Sequence, residues 1–103
     1  MSARERRRSA RHLLGESAEV HLGPKTVTAQ VVDVSQHGMG LILPPDVRAQ
    51  VGETIWILVG RIASYAITGR VARVAEAGRI GVELEEILEG AARAAIESLP
   101  PAE

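Results

Sequence analysis

Between residues 16 and 84 the apolar side chains fall at every second position in short runs, and each run ends at a turn former. No other feature of the chain narrows its fold as much. A period of two sends successive side chains to opposite faces of an extended backbone, so each run is a strand with one face to hide. The first, Glu16-Ser17-Ala18-Glu19-Val20-His21-Leu22, groups Ala18, Val20 and Leu22 and stops at Gly23-Pro24. Residues 25–34 resume through Val27, Ala29 and Val31, until Asp33-Val34-Ser35-Gln36-His37-Gly38 interrupts with turn formers. Residues 38–43 form a third run, closed by Pro44-Pro45, and residues 46–52 read as a loop or a single helical turn. Residues 54–59 (TIWILV), 64–74 (SYAITGRVARV) and 79–84 (RIGVEL) complete six strands.

The run 64–74 is the least regular. Ala66, Thr68, Arg70 and Ala72 share one side, and Ile67, Gly69, Val71 and Arg73 the other. Neither side is cleanly apolar, which suggests curvature or a bulge near Gly69. After Leu84 the period changes to that of a helix, with Leu88, Ala92, Ala95, Ile96 and Leu99 on one face. Glu85, Glu86 and Glu89 suit its positive end, and Pro100-Pro101 stops it. Six short strands and a terminal helix predict a mainly β fold: a small six-stranded antiparallel barrel with a C-terminal α-helix across one opening. We divide the chain into a basic arm (1–14), the barrel with its helix (15–99) and a tail (100–103).

With 103 residues there is room for one domain, and the chain contains no Phe and no Cys. Val, Ile, Leu and Ala must therefore build the core, and Trp56, inside its apolar run, is expected there too. Absence of cysteine excludes disulfides and thiolate chemistry and fits a reducing compartment. No stretch approaches the roughly 20 apolar residues that span a bilayer, and no secretory pattern follows the first arginines, so a cytoplasmic protein without membrane insertion is expected.

Charge is unevenly spread. Residues 1–12 carry Arg4, Arg6, Arg7, Arg8 and Arg11 against Glu5, a local +4, whereas residues 76–103 carry seven Glu against Arg79 and Arg93, a local −5. Guanidinium groups grip phosphate oxygens in pairs and keep their charge, so the front end suits a polyanionic ligand. The rest of the chain supplies neither a wider basic surface nor a row of aromatics for base stacking, and a compact anion fits better than nucleic acid. Asp33, Ser35 and Gly38 form a D-x-S-x-x-G turn, in which Asp and Ser accept backbone hydrogen bonds and Gly supplies positive φ. The same group can act as a polar platform, because an Asp carboxylate can accept from guanine N1–H and N2–H₂ while arginine reads O6 and N7.

The two segments together, R-x-x-x-R (Arg7 to Arg11) followed by D-x-S-x-x-G (Asp33 to Gly38), resemble the two-part signature of PilZ domains, bacterial receptors for cyclic di-GMP. The preceding Glu5-Arg6 and the closing Gly78-Arg79-Ile80-Gly81-Val82-Glu83-Leu84 are similar to that family as well. The likeness covers about residues 4–98 and implies the same barrel with a C-terminal helix. It implies that Arg7 and Arg11 contact phosphate and the guanine O6/N7 edge, that Asp33 and Ser35 hold the other edge, and that Gly38 permits the tight turn. Arg4 and Arg8 fit the first half in a second register; Arg7 and Arg11 give the family's spacing to Asp33. In the family the residue before the first signature arginine influences ligand number, and Arg6 there favours two molecules. Arg79 stands where some relatives carry an aromatic over a guanine; a guanidinium plane can stack too. Candidate ligand-binding residues are therefore Arg6, Arg7, Arg8, Arg11, Asp33, Ser35, Gly38, Arg79 and Gly81, with no cofactor besides the ligand.

The expected function is a cyclic di-GMP receptor whose arginine arm orders on ligand and which signals in trans to a protein partner. Two alternatives stand beside it: a ligand-independent interaction adaptor, and a nucleic-acid binder using the arm. Catalysis is not expected. His12, His21 and His37 share no metal-ligand spacing, and neither a G-x-S-x-G elbow, a P-loop nor a dinucleotide fingerprint is present.

Overall fold

The computed structural model describes residues 10–102. Its elements are β1 (His12–Leu22), β2 (Lys25–Val34), β3 (Gly38–Ile42), β4 (Thr54–Leu58), β5 (Ile67–Val74), β6 (Arg79–Leu84) and α1 (Gly90–Glu97). The strands pair antiparallel in the closed order β1-β2-β3-β6-β5-β4, with β4 returning to β1. This is the expected six-stranded barrel with one C-terminal helix. Closure pairs both sides of every strand, which removes the exposed edges that an open sheet of this size would present.

The barrel is filled by the alternate residues that the period-two pattern selects. Val20, Val31, Leu41, Ile55 and Ile57 are wholly shielded from solvent, and Met39 joins them. Leu88, Ala92, Ile96 and Leu99 extend the same cluster beyond the strands, with Ala95 partly buried against it; the helix is shorter than the spacing predicts, so Ala92 and Ile96 are its buried face while Leu88 and Leu99 flank it. Gly69 serves the packing directly. A Cβ there would lie 2.5 Å from Val82 Cγ1 and 2.9 Å from the Glu83 carbonyl oxygen, so only a bare position lets β5 and β6 close around this point.

Several details differ from the sequence reading, each for a local reason. β1 starts at His12, within the stretch assigned to the arm, because the chain end lies along it. The Leu13 N–H donates to the Pro100 carbonyl at 2.8 Å, and Ala102 N–H donates to the Arg11 carbonyl at 3.0 Å. Trp56 is 40% exposed, since Ile55 and Ile57 on either side both point inward and leave it the outer face. An all-apolar run hides that alternation. β5 begins at Ile67 rather than residue 64, and its register shift lies between Val71 and Arg73, beyond Gly69. Glu85 and Glu86 precede the helix, leaving only Glu89, at the N-cap, and no acidic residue in the first turn.

Candidate functional site

Asp33, Ser35 and Gly38 sit in the hairpin between β2 and β3, and a bulge decides how they face. Val31 pairs with Leu41 and Asp33 with Gly40, so Val32 is an extra residue in β2. Without it, Asp33 would share the inward face of Val31. With it, Val34 is buried and Asp33 turns outward, as bulges beside functional sites often re-aim one side chain. Its carboxylate accepts a 2.8 Å charge-assisted hydrogen bond from Arg11 Nη1, with the two side chains 34% (Arg11) and 15% (Asp33) exposed. The two signature segments thus meet in space across 22 positions of sequence.

Ser35 has a different task from Asp33. It is 5% exposed, and its Oγ accepts from the N–H groups of His37 at 3.2 Å and Gly38 at 3.1 Å. The Ser35 N–H donates to the Gly38 carbonyl at 2.9 Å, closing the loop. Ser35 therefore shapes the turn from within. The turn is also tied to the segment leading into α1. Leu84 N–H donates to the His37 carbonyl, Leu88 N–H to the Gln36 carbonyl, and Gln36 Nε2 to the Leu88 carbonyl at 3.0 Å. Gly38 does not supply the positive φ expected of it, which among the described glycines occurs at Gly15, Gly23, Gly52, Gly78 and Gly90. It is required by proximity, as a Cβ would stand 3.0 Å from the Val82 carbonyl oxygen of β6.

Beside Asp33 lies a floor without side chains. Gly40 on β3 pairs with Gly81 on β6, and both face outward between buried neighbours. The Asp33 carboxylate lies over Gly40, where an added Cβ would meet Oδ1 at 2.7 Å. On the far side Arg73 of β5 pairs with Gly81. Its guanidinium lies over that glycine, with Nη2, Cζ and Nε at 3.4, 3.6 and 3.6 Å from a Cβ position there. Arg79 is exposed on the same outer face, two residues before Gly81 and opposite Ile42.

Of the candidates, Arg11, Asp33, Gly81 and Arg79 come together on the outer surface of β2, β3 and β6 and the start of β1, while Ser35 and Gly38 stand behind them. Arg6, Arg7 and Arg8 lie outside the described residues. Gly40 and Arg73 belong to the same surface and were missed from sequence. The G-x-G spacing of Gly38 and Gly40 carried a signal for the first. Arg73 gave none, because unbroken alternation places it on the inward face of Val71.

A family model described as "PilZ domain" matches residues 5–99. No curated protein matches the chain. Among solved structures, the chain is similar to the Bacillus subtilis inhibitor of motility MotI/DgrA, with a TM-score of 0.70 and 16% sequence identity. That match covers 89% of this chain and 48% of the other, so the chain spans about half the length of the structure it matches. At this identity the likeness concerns the fold.

Proposed function

The chain belongs to the PilZ domain family, and from that premise we propose that it is a non-enzymatic receptor for cyclic di-GMP that signals in trans to a protein partner. One observation carries the reading. Arg11 and Asp33 are held 2.8 Å apart on the outer face, beside a floor that a side chain at Gly40 or Gly81 would fill.

The chemistry of the exchange follows from the groups present. Guanine's N1–H and N2–H₂ offer a carboxylate the same kind of donor array as a guanidinium does. In the free protein Arg11 occupies that place on Asp33. An arriving guanine takes over the carboxylate, and Arg11 is released to grip a phosphate or the O6/N7 edge, together with Arg7 from the arm. Arg6 and Arg8 add positive charge for the phosphates, and Arg6 favours a second ligand molecule. Ser35 and Gly38 keep the turn in shape while this happens. Because Ala102 N–H donates to the Arg11 carbonyl, movement of Arg11 reaches the chain end directly and changes the surface a partner reads.

Titration calorimetry with cyclic di-GMP, against GTP and cyclic GMP as controls, tests this reading. Micromolar or tighter binding selective for the cyclic dinucleotide is expected, severely weakened in Arg7→Ala and Asp33→Ala. An unaltered isotherm in both variants would remove the site assignment. A ligand-independent adaptor is the second reading, favoured by the exposed Tyr65 and Ile87 that flank a groove with Glu85 and Glu86. Pull-downs with and without cyclic di-GMP separate the two. A nucleic-acid binder would instead show gel shifts without nucleotide selectivity that fall steeply with salt.

A further inference from the structure

Where the chain leaves β6 it opens a groove that neither signature segment uses. Glu85 N–H donates to the Thr68 carbonyl at 3.0 Å, which carries the pairing of β5 and β6 one step past Leu84. Three residues later Leu88 N–H donates to the Gln36 carbonyl at 2.9 Å, in the turn that leads into β3, on the other side of β6 from β5. The segment after β6 therefore swings away from β5 and leaves a gap beside the residues that precede Ile67. Buried Ile67 and Leu88 lie at its base, and Tyr65, Ile87, Glu85 and Glu86 stand around it. Gln36 Nε2 also donates to the Leu88 carbonyl, so the segment is bonded in both directions and the groove is held in shape from behind.

Two unsatisfied properties meet there. Tyr65 is 55% exposed and Ile87 51%, more than any other large apolar side chain described except Val51. The charge beside them has one sign: residues 80–92 contain Glu83, Glu85, Glu86 and Glu89 and no Lys or Arg. Arg70 reaches Glu85 only at 3.9 Å, and Glu86 makes no ion pair with any described residue. An occupant that brings a large apolar side chain and positive charge together would satisfy both. Size narrows the choice further. The groove measures about 210 Å³, below the roughly 300–1,000 Å³ of small-molecule sites, and suits one side chain of a peptide rather than a whole nucleotide.

We propose that this groove docks a basic segment of a protein partner, which inserts one large apolar side chain between Tyr65 and Ile87 and sets Lys or Arg against Glu85 and Glu86. This deepens the partner half of the reading above: it rests on there being a protein partner and does not depend on cyclic di-GMP. Tyr65 is the anchor on this side, because a tyrosine gives large contact area at low entropic cost and keeps a hydroxyl for the wet rim. The carboxylates steer the segment and fix its direction across the groove.

Random nonapeptides displayed on phage and selected on the full chain test the assignment. Enriched peptides should carry several Lys or Arg around one large apolar residue. The best of them, synthesised with a fluorophore and followed by polarisation, should bind about tenfold more weakly to Ile87→Ser and to the double variant Glu85→Gln/Glu86→Gln. Its affinity should also fall as salt is raised. All three side chains are exposed, so thermal unfolding should be little changed. No enrichment, enrichment of acidic peptides, or binding that both variants leave intact overturns the docking surface. Selection that succeeds only when Arg4, Arg6, Arg7 and Arg8 are replaced by Ser makes this chain's own arm the occupant, and a dimer in sedimentation that Ile87→Ser dissociates makes it a second copy; either overturns the partner assignment. Cyclic di-GMP calorimetry keeps the two levels apart. If the parent binds the nucleotide but the peptide result fails, only the docking surface is wrong; if the peptide binds as expected and the nucleotide does not, the receptor reading falls and the surface stands.

Discussion

The two halves of the site are held in opposite ways. The turn from Asp33 to Gly38 is built before any ligand arrives: Ser35 accepts two backbone N–H groups, and Gln36 and His37 are bonded to Leu84 and Leu88. Arg11, by contrast, is a third exposed, and its side chain rests on one ion pair with Asp33. A half that must recognise the edge of a base gains from fixed geometry, because a misplaced acceptor loses its hydrogen bonds. A half that must capture phosphate gains from reach, because charge acts over a longer distance and tolerates several arrangements. On the proposed reading, recognition falls to the bonded hairpin and capture to the arginines.

Breaking the rigid half should cost most. Asp33→Ala removes the acceptor for two guanine donors and should lower cyclic di-GMP affinity by about 100-fold or more, given roughly 1.5–3 kcal/mol for each hydrogen bond to a charged group. Titration calorimetry reads this, and a loss below tenfold would mean that the turn does not hold the base. Ser35→Ala leaves two N–H groups of the loop without their acceptor and should lower stability by about 1–3 kcal/mol. Chemical denaturation measures it, and binding should weaken alongside, because the turn loosens. Gly40→Ala keeps every functional group yet places a methyl 2.7 Å from Asp33 Oδ1. The carboxylate must move, so affinity should fall about tenfold, at the lower end of what overpacking costs, while circular dichroism shows the same fold.

A charge-conserving change in the arginine half should cost less and respond to different conditions. Arg11→Lys retains the charge but loses the fork, so a decrease of about threefold is expected. Its affinity should fall more steeply with salt than that of the parent, because only unshaped Coulomb attraction remains. A loss as large as that of Asp33→Ala would show that Arg11 also has a fixed geometric duty and would erase the contrast between the halves.

Much of this was legible in the chain itself. Gly23-Pro24 and Pro44-Pro45 bound their strands, the RIGVEL run is β6 from end to end, and Leu88, Ala92, Ile96 and Leu99, within the helix or flanking it, are all buried. These succeeded because turn chemistry and periodicity act over a few residues. Trp56 failed because hydrophobicity does not say which of two faces a residue takes in a wholly apolar run. The reason for Gly38 failed because a clash with Val82, far along the chain, cannot be seen from a turn motif.

The sequence by itself determined that six strands and a helix would form and that Arg11 and Asp33 were worth connecting. Only the tertiary structure decided which way Asp33 and Arg73 point, and that Gly40 and Gly81 lie side by side between them. The cause is the period of two. One extra residue, Val32 in β2 or Ala72 in β5, reverses the face of the side chains that follow it. Whether a residue is extra depends on how many stand opposite it on the neighbouring strand, and barrel closure sets that count.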